Sequence, residues 1–160
     1  MFNIKNKSIK YIVQAAVIAG IYAAITIALS PLSYGPIQIR ASEALTVLPA
    51  LTPAGIPGLF IGCIISNILS PYGLLDLICG SLATLIAAFF SFRLREKPLL
   101  VPLPPIIANG LIIGIMLKYA YGVPFPLPLC ILSVAAGEMI ACYAIGYPLY
   151  KVLKNNWKDR

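Results

Sequence analysis

Tyr11-Ile-Val-Gln14-Ala15-Ala-Val-Ile-Ala19-Gly-Ile-Tyr22-Ala23-Ala-Ile-Thr26-Ile-Ala-Leu-Ser30 carries no charge, and Gln14 and Thr26 are its strongly polar breaks. About 20 such residues are enough to cross a bilayer. Lys5, Lys7 and Lys10 precede the run, as the basic start of a secretory signal does. The apolar run is longer than the ~7–15 residues of a signal core, and further apolar stretches follow it, so it reads as a first transmembrane helix.

The whole chain agrees with this reading. It has 160 residues, 60% hydrophobic and 11% charged. Soluble domains are about a quarter charged, and a fold of this size cannot hide so much apolar surface from water. The composition excludes a disordered chain, a disulfide scaffold and a free cytosolic enzyme.

Breakers and charges divide the remainder. Ser30-Pro31-Leu32-Ser33-Tyr34-Gly35-Pro36 is a turn. No charge lies between Glu43 and Asp76, a stretch too long for one helix and cut by Pro49, Pro53 and Pro57. A short helix over 42–52 and a fuller one over 55–70 fit it. Ser70-Pro71-Tyr72-Gly73 turns into a helix over 74–92, which stops at Arg93, Arg95, Glu96, Lys97 and Pro98. Helices over 101–118 and 127–150 follow, separated by Gly122-Val-Pro124-Phe-Pro126-Leu-Pro128. The expected architecture is one all-α integral membrane domain over 1–160, with six transmembrane helices and both termini cytoplasmic.

Charge placement tests the count. With six crossings and both ends inside, the inner segments hold Lys5, Lys7, Lys10, Arg93, Arg95, Lys97, Lys151, Lys154, Lys158 and Arg160, ten of the twelve basic residues. Arg40 and Lys118 remain outside. This is the positive-inside pattern, so the net charge of +7 orients the chain and gives no support for nucleic-acid binding. Tyr11, Tyr147, Tyr150 and Trp157 fall near one interface; Tyr34, Tyr72, Tyr119 and Tyr121 fall near the other.

Several chemistries lack their residues. There is no histidine, and Cys63, Cys79, Cys130 and Cys142 form no C-x-x-C pair, so no metal site is expected. The four cysteines read as small packing residues. No Gly precedes a Lys, which excludes a P-loop. Lys118 and Glu138 are the deep candidates for an unusual active site, and nothing pairs them by spacing. No enzyme, cofactor or catalytic residue is expected.

The polar residues left inside apolar segments are the candidates for binding. Glu138 lies mid-span in Val134-Ala-Ala-Gly-Glu138-Met-Ile-Ala-Cys142, where a charge costs about 2.5–3.5 kcal/mol on insertion scales. It is either a ligand anchor or a protonated structural group, and intramembrane acids favour the first. Asn109 and Asn67 either read a polar heterocycle or tie helices together. Asp76 starts a helix, where capping competes with a binding role. Tyr34-Gly-Pro-Ile-Gln38-Ile-Arg40-Ala-Ser42-Glu43 is dense in polar groups. There Ser42 is placed to cap a helix, and Arg40 and Glu43 either pair with each other or form a lid.

On the first helix, Ala15, Ala19 and Ala23 recur every four residues, with Ala16, Gly20, Ala24 and Ala28 beside them. A small-residue face lets another helix approach closely, from within the chain or from a partner.

With that stripe on helix one of a six-span chain, the sequence resembles the substrate-binding (S) components of energy-coupling factor (ECF) transporters. Gly35-Pro-Ile-Gln38-Ile-Arg40-Ala-Ser42-Glu43-Ala-Leu-Thr-Val-Leu-Pro49, followed by Thr52-Pro-Ala-Gly-Ile-Pro57-Gly-Leu-Phe-Ile-Gly62, looks like the QueT family, associated with uptake of queuosine precursors. The resemblance implies a subunit of a prokaryotic plasma membrane importer that binds a 7-deazaguanine base from outside. It implies partners, namely a transmembrane coupling protein and two ATPases, with Ala15, Ala19 and Ala23 as the docking face and the loop after helix one as a gate. Substrate contacts are expected at Glu138, Asn109, Asn67, Gln38, Arg40, Glu43 and Asp76. An S component for thiamine, riboflavin or biotin, a self-sufficient gradient-driven carrier, and an intramembrane enzyme or structural subunit are the competing readings. A carrier is expected to show internal repeats with paired broken helices, and no convincing repeat is present.

Overall fold

The computed structural model describes residues 2–34 and 39–158, all of them helix, turn or irregular chain; there is no strand among them. Gln38 lies outside the described residues. Helix α1 is Phe2–Ala28. A single turn at Ser30–Ser33 follows, then α2, a 3₁₀ helix over Ala41–Ala50. Helix α3 is Gly55–Asn67. Helix α4 opens with a π-helical turn at Asp76–Gly80 and continues as Ser81–Arg93. Helix α5 is Leu103–Tyr119. Helix α6 runs through Leu127–Met139, a π-helical stretch at Ile140–Gly146, and Tyr147–Lys158.

Four of these are long and apolar enough to cross a membrane: Lys7–Ala28, Asp76–Arg93, Pro98–Tyr119 and Leu127–Asn156. The segments expected as spans over 42–52 and 55–70 are shorter. The 13 residues of α3 extend about 20 Å at the α-helical rise. Ten residues of α2 extend about the same length at the steeper 3₁₀ rise. The prolines are the reason. Pro49 lacks the N–H that a continuing helix needs, and Pro53 stands in the turn before α3.

Besides its hydrophobic core, the chain shows a burial pattern unlike that of a water-soluble protein. Large apolar side chains stand on the outside, such as Ile12, Ile65, Ile86, Phe90, Leu111, Leu132 and Ile145. The interior holds Thr26, Arg40, Ser42, Glu43, Thr46, Asn67, Asp76, Thr84, Asn109 and Glu138. Exposed apolar surface all around a bundle costs nothing in lipid, whereas an unpaired polar group there is expensive.

Packing is closest between α1 and α3 and between α5 and α6, with α4 between the two pairs. Helix α2 lies inside, against α1, α3, α4 and the π-helical stretch of α6, and Ser42 through Val47 are all buried. The α1–α3 contact depends on two glycines. A Cβ on Gly58 would stand 2.8 Å from the Ala15 carbonyl oxygen, and one on Gly62 would stand 2.8 Å from that of Ala19. The stripe of Ala15, Ala19 and Ala23 is therefore buried against the chain's own α3. Ala16, Gly20, Ala24 and Ala28 form the exposed small-residue row beside it.

Candidate functional site

The buried polar side chains form one connected group that runs through the bundle. It starts at the end where α3 gives way to α4 and α5 to α6. Arg40 Nη2 donates to Asn67 Oδ1 at 3.1 Å and stands 3.9 Å from Asp76 Oδ2. Asn67 Nδ2 donates to the Asp76 carbonyl oxygen at 3.0 Å and to Cys63 Sγ at 3.3 Å. Tyr121 donates its hydroxyl to Asp76 Oδ1 at 3.4 Å. Burial raises the Tyr121 hydroxyl above the ordinary tyrosine range, and the neighbouring Asp76 carboxylate adds to the shift. The phenol therefore remains a donor at any physiological pH.

Glu43 occupies the centre and is fully buried. Its Oε1 accepts from the Tyr22 hydroxyl and, at 3.5 Å, from Thr84 Oγ1. Thr84 Oγ1 also lies 3.3 Å from Cys63 Sγ and 3.1 Å from the Gly80 carbonyl oxygen. The position of Glu43 follows from α2: three residues per turn and an enclosed axis aim it at α1 and α4 together. Ser42 turns to α1, where Thr26 Oγ1 donates to its hydroxyl at 2.6 Å.

Glu138 and Asn109 make the third part. Asn109 Nδ2 donates to Glu138 Oε1 at 2.9 Å. Cys142 Sγ lies 3.7 Å from Glu138 Oε2 and 3.5 Å from the Glu43 carbonyl oxygen, and so joins this part to the centre. The π-helical stretches at Asp76–Gly80 and Ile140–Gly146 contribute Asp76 and Cys142. Such stretches are frequent at functional sites because the extra residue per turn re-aims side chains.

Three expectations change. Arg40 pairs with Asp76, while Glu43 bonds Tyr22 and Thr84. The reason is geometric: Arg40 precedes α2 in an extended conformation and points away from the first turn, whereas Glu43 points inward from it. Ser42 does not cap α2. Asp76 serves Arg40 and Tyr121 rather than a helix end.

The structure thus brings together Arg40, Asn67 and Asp76, and separately Asn109 and Glu138, with Glu43 between. Tyr22, Thr84, Cys63, Cys142 and Tyr121 belong to the same group and were not legible as such. A tyrosine and a threonine inside apolar helices were the available signals. Cys63 and Cys142 are more than packing residues, since each sulfur contacts polar side chains.

Among the described residues, three buried atoms of the group have no hydrogen-bond partner: Arg40 Nε, Glu43 Oε2 and Asp76 Oδ2, the last standing 3.9 Å from Arg40 Nη2. Leaving such an atom unpaired costs about 1–3 kcal/mol, and more when the group is charged. Two acceptors and one donor are therefore without a hydrogen bond among the described residues. Among the described residues, no cation besides Arg40 is buried to balance Glu43, Asp76 and Glu138.

An apolar exterior, helices long enough to cross, and a polar interior define a multi-pass membrane protein with a buried polar network. The family model described as "QueT transporter" matches residues 12–155, and the chain belongs to that family. Over 77 residues it is 43% identical to the queuosine precursor transporter QueT of Lactococcus lactis subsp. cremoris (strain MG1363). That match covers 47% of this chain and 45% of the relative, so it spans about half the length of the curated protein. No solved structure matches.

Proposed function

We propose that this chain is the substrate-binding S component of an ECF-type importer in a prokaryotic plasma membrane, and that it takes up a 7-deazaguanine base, a queuosine precursor, from outside. The observation that carries the reading is the set of unpaired buried atoms Arg40 Nε, Glu43 Oε2 and Asp76 Oδ2 in one network. A deazaguanine presents adjacent N–H donors on its Watson–Crick edge and a ring carbonyl. The first suit a carboxylate, and the second suits Asn109 or the Arg40 guanidinium. Glu43 and Glu138 are the acceptors for the edge, and Asp76 faces whatever substituent lies nearer the mouth.

Six crossings with both ends inside remain the topology we propose, with α2 and α3 as short spans. Tyr143 donates to the Leu99 carbonyl oxygen at 2.8 Å, and Val101 packs with Tyr150. These contacts bring the segment after Arg93, Arg95 and Lys97 beside the start of the basic tail, which fits one positively charged inner side. The Asp76 end of the network then faces outward.

Energy would come from a coupling protein and two ATPases. Docking of the coupling protein falls on the lipid-facing row of Ala16, Gly20, Ala24 and Ala28, because Ala15, Ala19 and Ala23 stand behind it against α3. The test is purification with and without these partners, mass spectrometry of the small molecule carried along, and thermal shift with deazaguanine bases, thiamine, riboflavin and biotin. Stabilisation by deazaguanines alone supports the reading. Stabilisation by another vitamin moves the chain to that specificity, and uptake without any ATPase overturns the S-component role.

A further inference from the structure

Tyr72 and Tyr121 come from the two loops at the proposed outer end, one between α3 and α4 and the other after α5. Their rings are stacked, with centroids 3.9 Å apart and planes 14° from parallel. Both side chains are half-buried. Each tyrosine is followed by a glycine in the left-handed region, Gly73 at φ +67° and Gly122 at φ +64°. A Cβ on either glycine would meet nothing within 4 Å, so backbone conformation, not crowding, calls for glycine there. The Tyr121 hydroxyl reaches down to Asp76 Oδ1, and the carboxylate's other oxygen, Oδ2, accepts no hydrogen bond among the described residues and stands 3.9 Å from Arg40 Nη2.

We infer that Tyr72 and Tyr121 form a two-leaf aromatic cover over the Arg40–Asp76 end of the site, which parts to admit a flat ring and is latched through Asp76. The inference rests on the binding role proposed above. Two phenol rings face to face and closer than the usual ~4.5–7 Å are in the less favourable arrangement for like quadrupoles, so the stack is easily parted. The left-handed glycines let each loop turn sharply just behind its ring. Asp76 ties cover to cargo: Oδ1 holds Tyr121 closed while Oδ2 is available to a donor on the ligand. A ligand that fixes Asp76 therefore also holds the cover shut, and a planar molecule is favoured because it passes edge-on between two parallel rings.

Cys63 reports on the cover without any ligand. It is fully buried, and its sulfur lies 3.3 Å from Asn67 Nδ2 and 3.9 Å from Arg40 Nη1, just beneath the covered end. Labelling of the purified full chain with N-ethylmaleimide, followed by peptide mass spectrometry, separates Cys63 from Cys79, Cys130 and Cys142. In Tyr72→Ala and Tyr121→Ala, Cys63 should label at least about tenfold faster, the factor expected for losing a contact of ordinary hydrogen-bond strength. Cys142 should keep its rate; Cys130 is no control, because Tyr121 packs against its cluster. A Cys63 rate within about twofold of wild type in both variants overturns the cover. If all buried cysteines speed up together, the variant has loosened as a whole, and Tyr121→Phe decides: it keeps the ring and loses only the latch to Asp76. Faster Cys63 labelling in Tyr121→Phe supports the latch, and an unchanged rate removes it. In parallel, release of a bound 7-deazaguanine base should be faster in Tyr121→Phe. If wild type binds no deazaguanine, the proposed function fails while the labelling result still decides the cover.

Discussion

Replacing Glu43 by Gln isolates the atom on which the binding proposal depends. In the chain as it stands, Oε1 accepts from Tyr22 and Thr84, while Oε2 is buried without a partner. A glutamine can keep its carbonyl oxygen toward Tyr22 and place its amide where Oε2 was. Without ligand the exchange trades one unpaired buried group for another and removes a buried charge. The melting temperature should therefore stay the same or rise, as when a buried ion is neutralised. With ligand the balance is different. A hydrogen bond to a charged group is worth about 1.5–3 kcal/mol, and an amide donor facing the ligand's own donor adds about 1–3 kcal/mol of unpaired desolvation. Because Glu43 is fully buried, solvent does not screen either contribution. Together they amount to roughly 2.5–6 kcal/mol, or about two to four orders of magnitude in Kd. Titration calorimetry of the purified chain in lipid nanodiscs with a 7-deazaguanine base measures the affinity, and thermal unfolding measures the control. A Glu43→Gln chain that melts like wild type and binds within about threefold of it refutes the reasoning, because a threefold change is well under one hydrogen bond. A chain that loses both binding and stability makes Glu43 a structural group.

Further outcomes are expected. Gly62→Ala should destabilise the chain by about 1–3 kcal/mol, because the new methyl meets the Ala19 carbonyl oxygen at 2.8 Å and Tyr22 Cβ at 2.9 Å; Gly20→Ala, with nothing within 4 Å, should be neutral or stabilising in the same thermal assay. Gly20→Trp should abolish ATP-dependent uptake in cells while ligand binding to the isolated chain is retained; normal uptake removes the docking role of the exposed row, whereas Ala19→Trp is a poor test because Ala19 is buried against α3. Arg40→Ala leaves Asp76 without its cation and should accelerate ligand release by roughly tenfold or more in a stopped-flow chase, the scale of one charged hydrogen bond; an unchanged off-rate in both Arg40→Ala and Asp76→Asn means this end of the network does not hold the ligand.

The membrane class, the long helices and the set of acids and amides worth suspecting could be read along the chain. Each depends on local facts: an uncharged run long enough to cross, prolines that interrupt it, and an acid where lipid makes an acid costly. Glu138 and Asn109 stood out for that reason, and they do meet, at 2.9 Å. The direction of the alanine stripe was not readable. A row every four residues shows that a face exists, but Ala15 and Ala16 start rows only about 100° apart, and nothing local distinguishes the one facing α3 from the one facing outward. Gly58 and Gly62 decide it, from more than forty residues away.

The same limit applies to charge pairing. Arg40 and Glu43 are three apart, and an ordinary helical turn would set them side by side. The extended residue before α2, and the 3₁₀ winding after it, send Arg40 to Asp76 and Asn67 and turn Glu43 toward Tyr22 and Thr84. By itself the sequence determined the solvent this protein lives in and the inventory of groups buried within it, because transfer into lipid is priced residue by residue. Which of those groups share a hydrogen bond, and which three buried atoms lack one among the described residues, was decided only when four helices packed around α2, because a hydrogen bond depends on distances that no single segment contains.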